Sequence, residues 1–331
     1  MATVFLNGRF LSRDEAVISA FDAGFQHGVG LFETLLAVRT AGGGFRTIHL
    51  EEHVGRLAGS ARQLGLSESL RVGALEEAVR RTVEKAGEEM PDQQRLRVRL
   101  TITGGDLNML GRPGVSSSGP AGEGVSPTLM IVAQPATQYP AEMFERGSSV
   151  VVADLRVNPL DPFQGHKTLN YWPRLRELQN AAAKRVGEAL IFQVTNHLAG
   201  GCVSNAFVVK DGLIYTPIAR GEEEEVAGGG LDDEGEEPPR SGGVPSGAAM
   251  PSPVLPGIVR RWVMDWCGTE GMDVERRMLS IDDVLGADEV FLTNSSWGVL
   301  PVVRVEREQI GDGVVGEVSK RLVEAWGSLV S

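Results

Sequence analysis

Apolar and polar residues alternate in several short stretches near the start of the chain, a pattern typical of strands with one face against a core. The stretch TVFLNGRFL alternates around Asn7-Gly8, a dipeptide that favours a tight hairpin. Residues 96–103, LRVRLTIT, alternate in the same way, and residues 128–135, TLMIVAQP, form an apolar run that ends in a polar, proline-containing connection. These stretches predict a small β-rich layer.

Short strands are also predicted further along the chain. ALIF, AFVVK and GLIYTP are compact apolar runs, and Lys210-Asp211-Gly212 joins the last two as a hairpin. The stretch DEVFLTNSSWG, residues 288–298, is predicted to be a buried strand that runs into a polar turn.

Apolar residues recur at helical spacing in three places, over residues 51–65, after Pro173 as far as Gly187, and over residues 254–268. Proline suits the first turn of a helix, and acidic residues at the start with glycine at the end mark the first stretch as a helix as well. The predicted apolar faces consist of Val54, Leu57, Ala61 and Leu64, then Leu175, Leu178, Ala182 and Val186, then Val259, Trp262, Val263 and Trp266.

Strands and helices are mixed along the whole chain, which predicts a fold of the α/β (α+β) class. A chain of 331 residues, of which 42% are hydrophobic, can bury a substantial core and fits two modest domains. We place the boundary near residues 135–142, which gives a smaller α/β domain over 1–135 and a larger domain over 142–331.

The net charge of −12 is concentrated in one stretch, because nine acidic residues lie between Glu222 and Glu237. The surrounding residues, about 219–252, are too polar and too rich in glycine and proline to bury a core, so we predict a disordered acidic insertion there. A solvated loop without a function is the simplest interpretation of this insertion. The rest of the chain has no basic stripe, which argues against a nucleic-acid partner.

Several other classes of protein lack support in the sequence. No run of about 18 apolar residues occurs and the N-terminus does not resemble a signal peptide, so we expect neither membrane insertion nor secretion. Cys202 and Cys267 have no metal-type spacing and cannot make a disulfide framework, which suits a cytoplasmic protein. The five histidines show no paired metal spacing, so no metal is predicted.

Three candidate features each carry little weight alone. Lys167 lies among apolar and aromatic residues in QGHKTLNYWPRLREL, although lysines are usually solvated. Gly257-Ile258-Val259 opens a predicted helix, where free N–H groups favour an anion, and the polar turn at residues 293–296 could also bind a phosphate.

These features fall within six segments: FDAGFQHGVGLFET (21–34), HLEEHVGRL (49–57), HKTLNY (166–171), VSNAFVVKDGLIYTP (203–217), LPGIVRR (255–261) and ADEVFLTNSSWGVLPV (287–302). In this order and spacing they resemble the class IV aminotransferase family, the fold-type IV pyridoxal-phosphate enzymes. Its members include branched-chain aminotransferases, D-amino-acid aminotransferases and 4-amino-4-deoxychorismate lyases. The resemblance implies a homodimer of two-domain chains, with pyridoxal 5′-phosphate in the interdomain cleft.

The resemblance also implies roles for particular residues. Lys167 matches the lysine that forms a Schiff base with the cofactor and can then move a proton at the substrate Cα. Arg56 matches the arginine that binds the cofactor phosphate, and Tyr171 lies near the position of a tyrosine that hydrogen-bonds the phenolic oxygen. The other expected phosphate contacts are Gly257, Ile258, Val259, Ser295 and Ser296.

Four positions depart from the family pattern. Gly200 replaces the glutamate that pairs with the pyridine nitrogen and keeps it protonated, which makes the ring a strong electron sink. Ala23 stands where the family has an arginine, Val29 where it has an aspartate, and Gly104 where many members have an arginine. The pattern therefore does not predict how the substrate carboxylate is recognised.

Three functions follow as hypotheses. The first is a branched-chain-like aminotransferase that moves an amino group from an amino acid to a 2-oxo acid. The second is 4-amino-4-deoxychorismate lyase, since formation of an aromatic product lessens the need for a full electron sink. The third, motivated by Gly200, is a cofactor-binding protein with little catalysis. The amino donor and the stereochemistry at Cα stay open.

Overall fold

The structure is a computed structural model that describes residues 2–68, 70–106, 127–228 and 250–331. The chain divides into two compact units. Unit 1 consists of Met1–Tyr139, His166–Trp172 and Ala325–Ser331, and unit 2 consists of Pro140–Gly165 and Pro173–Glu324. Each unit contains a sheet and helices, so the predicted α/β class is confirmed.

The sheet of unit 1 is antiparallel, with the strand order β2-β1-β6-β5-β3-β4. Its strands are β1 (Thr3–Leu6), β2 (Arg9–Leu11), β3 (Gly30–Arg39), β4 (Phe45–Thr47), β5 (Arg95–Thr103) and β6 (Leu129–Pro135). The predicted hairpin is confirmed: Asn7 and Gly8 form its turn with φ values of 46° and 86°, the left-handed region that Asn-Gly tolerates.

Helices α1 (Ala23–His27), α2 (Leu50–Gln63) and α3 (Val72–Glu89) belong to unit 1. The predicted apolar face over 51–65 is confirmed in α2, where Val54, Leu57 and Ala61 are buried in the same core as Leu35 of β3. Helix α3 was not predicted, although its buried residues recur at helical spacing.

The sheet of unit 2 has the strand order β12-β11-β10-β13-β14-β7-β8-β9, with β15 paired to β14. Its strands are β7 (Ser148–Val157), β8 (Glu188–Gln193), β9 (Leu198–Gly201), β10 (Asn205–Lys210), β11 (Leu213–Thr216), β12 (Val274–Arg276), β13 (Glu289–Asn294), β14 (Gly298–Val305) and β15 (Glu308–Gln309). The predicted hairpin at Lys210-Asp211-Gly212 joins β10 to β11, and β13 is buried as predicted.

The remaining helices are α4 (Glu142–Glu145), α5 (Trp172–Ala183), α6 (Glu223–Gly228), α7 (Ile258–Thr269), α8 (Ile281–Leu285) and α9 (Glu317–Leu329). Helix α5 was predicted to continue to Gly187 but ends four residues earlier. Arg185 adopts a φ of 61°, which a right-handed helix cannot contain.

Disorder from residue 219 was predicted from composition, and for the described part of that stretch the prediction was wrong. Ala219 is fully buried, Glu222 pairs with buried Arg260, and residues 223–228 are helical. Ionic partners elsewhere in the chain order these acidic residues, which composition alone does not show. Residues 229–249 of the predicted insertion lie outside the described residues.

One segment of unit 1 comes from the predicted larger domain. His166–Trp172 lies along β3, because Phe32 N donates to Lys167 O at 2.9 Å and Leu169 N donates to Gly30 O at 2.9 Å. The domain limits at 135 and 142 stay a prediction.

Candidate active site

Lys167 is fixed in unit 1 by the backbone bonds that its own carbonyl oxygen and the N–H of Leu169 make with β3. His166 adds a side-chain contact, with Nδ1 2.9 Å from Ser60 Oγ on α2. The Lys167 ammonium lies 4.6 Å from the centroid of the Phe32 ring and 5.7 Å from that of Tyr171. The half-buried amine therefore lies against an aromatic wall and not in bulk solvent.

The aromatic wall consists of Phe32 from β3 and Tyr171 from the segment after Lys167. Their ring centroids are 5.3 Å apart with an interplanar angle of 85°, an edge-to-face arrangement. Gly30 lies where this segment meets β3, and a Cβ at Gly30 would stand 2.7 Å from Leu169 Cδ1. Glycine at this position allows the close approach that places Lys167 beside Phe32.

Arg99 is a functional candidate that the sequence interpretation missed. It lies on β5 opposite Thr34 of β3, and its guanidinium carbon is 3.9 Å from the centroid of the Phe32 ring. Burial lowers the pKa of Arg99, a shift that the nearby charge of Arg97 reinforces. In the described part of the chain, the guanidinium of Arg99 has no hydrogen bond or ion pair, so it is available to an anion.

Arg56 belongs to a buried cluster that it forms with Glu33 and His53, here called the Glu33 cluster. Arg56 Nε and Nη2 donate to the two Glu33 oxygens at 2.8 and 2.7 Å, and His53 Nδ1 lies 2.8 Å from Glu33 Oε2. Residues 53 and 56 are three apart on α2, so both reach the one carboxylate of β3. Glu33 is only 1% exposed and His53 only 2%.

The charges in the Glu33 cluster are set by burial and pairing. Burial alone would raise the pKa of Glu33, but Arg56 and His53 outweigh it and hold that pKa well below its usual range. Burial lowers the pKa of His53 against the raising effect of Glu33, and the charges of Arg56 and Lys167 lower it further. Because the Glu33 carboxylate can only accept, His53 Nδ1–H is the donor of this bond.

In unit 2, helix α7 begins at Gly257 without a side-chain cap. Asn205 Nδ2 donates to Leu255 O at 2.8 Å, and a Cβ at Gly257 would overlap Asn205 Oδ1. Glycine is therefore required where the chain turns into the helix. Ile258 and Val259 are buried, and the uncapped backbone N–H groups of this turn form a positive helix end suited to an anion.

The predicted polar turn joins β13 to β14 in unit 2. Asn294 Oδ1 accepts from Ser296 N at 2.8 Å and from Trp297 N at 3.0 Å, which holds the turn in shape and leaves Ser295 and Ser296 half-buried. The adjacent Thr293 is 1% exposed, and its Oγ1 has no hydrogen-bond partner in the part of the chain that the structure describes. An unsatisfied buried hydroxyl is costly, so a polar ligand near this turn fits the donor set.

Gly200 lies on β9 with a φ of 133°, a conformation that L side chains rarely adopt, and a Cβ there would stand 2.7 Å from Ser204 O. The nearest acid before Gly200 in the sequence is Glu188 on β8, which is fully buried. Glu188 accepts from the backbone N–H groups of Ala189, Cys202 and Val203 and from Ser204 Oγ, all at 3.0–3.1 Å. Burial raises its pKa against the lowering effect of these donors.

The predicted site residues thus fall into two groups. Lys167, Tyr171 and Arg56 lie in unit 1, whereas Gly257, Ile258, Val259, Ser295 and Ser296 lie in unit 2. Glu33, His53 and Arg99 are additional residues of the first group that the sequence interpretation did not identify. Within the described ranges, no cluster of His, Cys, Asp and Glu is arranged to hold a metal ion, and no helix has the length and apolar character of a membrane span.

The family model for amino-transferase class IV matches residues 30–222 and 246–305, so the chain belongs to this family and the resemblance is confirmed. Enzymes of this family depend on pyridoxal 5′-phosphate.

Relatives match the chain over nearly its whole length. The D-alanine aminotransferase of Bacillus licheniformis is 26% identical over 97% of this chain and 95% of that protein. The branched-chain-amino-acid aminotransferase of Escherichia coli K12 is 26% identical over 98% of this chain and 92% of that protein.

Solved structures show the same fold. A crystal structure of the Escherichia coli branched-chain enzyme matches with a TM-score of 0.78 at 23% identity, covering 99% of this chain and 94% of that one. The 4-amino-4-deoxychorismate lyase of Pseudomonas aeruginosa matches with a TM-score of 0.71 at 23% identity, covering 98% of each chain.

Proposed function

We propose that this chain is a pyridoxal-phosphate-dependent aminotransferase that moves an amino group from an amino acid to a 2-oxo acid. The observation that carries the proposal is the set of groups around β3 in unit 1. Lys167 supplies an amine, and Arg56 and Arg99 supply two guanidinium groups. An amine can bond the aldehyde of the cofactor, and the two cations suit a phosphate and a substrate carboxylate.

The residues present fit pyridoxal phosphate at several points. Lys167 would hold the cofactor covalently, and the half-buried ring of Tyr171 beside the lysine would offer an apolar contact. For the phosphate, family membership suggests Arg56 in unit 1 and, in unit 2, the first turn of α7, where Gly257 leaves a cradle that any Cβ would fill. Ser295 and Ser296 would complete the set from the turn whose neighbour Thr293 has an unsatisfied hydroxyl.

When bound, the cofactor supplies an aldehyde that takes up the amino group and a ring that withdraws electrons from the substrate Cα. Lys167 would then have a second task, because its amine, once free, could act as the base that moves a proton between the substrate Cα and C4′ of the cofactor. Tyr171 would donate to the phenolic oxygen of the cofactor.

Arg99 would bind the carboxylate of the substrate. Its guanidinium is half-buried, lies on the same aromatic ring as Lys167 and has no anionic partner in the described residues. A bidentate guanidinium–carboxylate contact fixes both position and orientation of a small substrate. The half-buried ring of Tyr171 would offer an apolar surface to the rest of it, which favours branched-chain or other apolar amino acids.

The proposal includes a homodimer, as family membership suggests. In unit 1, Val17, Phe21 and Phe25 are 74%, 68% and 76% exposed, which is unusual for large apolar side chains near one another in sequence. Sedimentation at several protein concentrations is expected to give the mass of two chains. A monomer at micromolar concentration would contradict this part of the proposal.

A second candidate function is 4-amino-4-deoxychorismate lyase, and Gly200 is the observation that favours it. No carboxylate stands at this position, so the ring nitrogen of the cofactor has no acidic partner there. A reaction that gains an aromatic product needs less electron withdrawal by the cofactor than transamination does. A cofactor-binding protein with little catalysis is the third candidate, on the same observation.

The test begins with purified protein reconstituted with pyridoxal phosphate, wild type beside Lys167→Ala and Lys167→Arg. We expect a visible absorption band only in the wild type, and borohydride reduction is expected to fix the cofactor's mass on the peptide that contains Lys167. The arginine variant keeps the positive charge, so it separates covalent attachment from electrostatic binding.

The same samples then receive separate L- and D-amino acids with a 2-oxo acid, and 4-amino-4-deoxychorismate. A band that shifts with one amino acid, with transfer of its amino group, supports the aminotransferase and identifies the donor. Release of 4-aminobenzoate and pyruvate would instead establish the lyase. A band that responds to neither would leave only cofactor binding, and a wild type without a band would refute the proposal.

A further inference from the structure

Arg260 is a fully buried cation in the first turn of α7, the turn that begins at Gly257. Its Nη1 and Nη2 donate to the two oxygens of Glu222 at 2.7 and 2.8 Å. Nη2 also donates to Pro217 O at 2.9 Å, and Nε donates to Thr216 Oγ1 at 3.2 Å. The side chain is only 1% exposed, so every nitrogen of the guanidinium is held by the protein.

Glu222 is the first of the acidic residues that composition alone assigned to a disordered insertion. The next residue, Glu223, accepts from Gly221 N and from Ser252 N, both at 2.6 Å. Ser252 Oγ donates to Ile218 O at 2.6 Å. These bonds join the segment before residue 229 to the segment after residue 249. The segment after residue 249 leads directly to Gly257.

Burial and the charge of Arg260 act in opposite directions on the pKa of Glu222. Burial alone would raise the pKa of Glu222, but the hydrogen bonds and charge of Arg260 outweigh it and lower that pKa. A buried guanidinium without a counter-charge is very unfavourable, so without Glu222 the Arg260 side chain would have to move toward solvent. Because Arg260 is in the same turn as Ile258 and Val259, that movement would change the direction of their backbone N–H groups.

We propose that Glu222 is a positioning residue that acts through Arg260 to hold the first turn of α7 in the orientation that binds the cofactor phosphate. This inference rests on the proposed function, which assigns the phosphate to that turn. It gives the first residues of the acidic stretch a role in cofactor affinity.

The test measures the dissociation constants of pyridoxal phosphate and of pyridoxal, which lacks the phosphate, by absorption titration. The variants are Glu222→Gln, which keeps the shape and removes the charge, and Glu222→Asp, which keeps the charge on a shorter side chain. Glu224→Gln is the matched control, because it removes one charge from an exposed neighbour with no hydrogen bond in the described residues. Circular dichroism establishes that each variant is folded.

We expect Glu222→Gln to weaken pyridoxal phosphate by about tenfold or more, the size of one lost charge-assisted hydrogen bond, and to leave pyridoxal unchanged. Glu222→Asp is expected to restore part of the affinity, and Glu224→Gln to bind like the wild type. If Glu222→Gln does not fold, the selective loss is measured on Glu222→Asp.

Unchanged binding of pyridoxal phosphate by the folded variants would overturn the inference and leave the proposed function intact. An equal loss for both ligands would also overturn it, because a merely structural role does not distinguish the phosphate. A wild type that binds pyridoxal phosphate no more tightly than pyridoxal would refute the assignment of the phosphate site, and the inference with it.

Discussion

Replacing Glu33 with glutamine removes the only negative charge of the Glu33 cluster while keeping the shape of the side chain. In the wild type, two nitrogens of Arg56 and one of His53 donate to this carboxylate, and their side chains are 11% and 2% exposed. A glutamine has one acceptor oxygen, and its amide N–H groups face other donors. The guanidinium then loses its carboxylate partner, and at least one N–H group loses the acceptor that Glu33 provided.

Removing one member of a buried ion pair costs about 3–5 kcal/mol, so we expect Glu33→Gln to lower the free energy of unfolding by about that amount. Urea denaturation followed by circular dichroism measures it. Glu270→Gln is the control, since Glu270 pairs with Arg321 on the surface, where the side chains are 40% and 39% exposed. An exposed pair of this kind contributes about 1 kcal/mol or less.

The pH dependence gives a second measure of the same cluster. Because the folded pKa of Glu33 lies below its ordinary value of 4.5, the carboxylate contributes stability that is fully present above that value and is lost as pH falls toward the folded pKa. The difference between wild type and Glu33→Gln should therefore be largest near neutral pH and shrink in acid. A loss below about 1 kcal/mol, or a difference that does not shrink in acid, would refute the view that the charge of Glu33 holds Arg56 in place.

Three further predictions concern other groups. Arg99→Met is expected to raise the KM for amino and 2-oxo acids by about tenfold or more, measured by steady-state kinetics, without changing the cofactor band. Arg97→Met on the same strand is the control and should behave like the wild type. Gly200→Ala is expected to lower the free energy of unfolding by about 1–3 kcal/mol, because its φ of 133° is strained for any side chain, and an unchanged urea midpoint would contradict this. Burial raises the pKa of Cys202, and it raises the pKa of Cys267 to about 11. Neither thiol should therefore react with iodoacetamide at pH 8 before the protein unfolds. Rapid labelling of the native protein would contradict this prediction.

Local patterns were sufficient for much of the fold. The Asn7-Gly8 hairpin and the apolar face of α2 follow from rules that involve neighbouring residues only, so the sequence predicts them directly. Helix α3 carries the same kind of signal, with Leu75, Val79 and Val83 four residues apart, and that spacing would have identified it.

The candidate site was predictable only in part, because several of its groups meet through tertiary pairing. Lys167 and Arg56 could be found from motifs. Glu33 lies on a strand whose residues are mostly apolar, and its role depends on two residues of α2 that face it. Arg99 is one of several arginines on β5, and only the register with β3 places its guanidinium on the Phe32 ring.

The acidic stretch shows why composition misled for its first residues. Windows rich in acid and glycine predict disorder because their own side chains cannot bury a core. Glu222, however, is ordered by Arg260, which comes 38 residues later in the chain. A buried ion pair between such distant positions leaves no trace in local composition.

Gly200 bears on the choice between the candidate reactions. The structure around Gly200, and not only the residue itself, is adapted to the lack of a carboxylate side chain. The backbone there is in a glycine conformation, and Ser204 O occupies the space that a side chain would need. Glu188 does not replace the missing group, since its two oxygens already accept four hydrogen bonds from Ala189 and the turn at Cys202–Ser204. The turn is thus built around Glu188, and restoring a glutamate at position 200 would disturb it. For this reason a Gly200→Glu variant without activity would not count against transamination, whereas the response of the wild type to amino acids and to 4-amino-4-deoxychorismate separates the candidates directly.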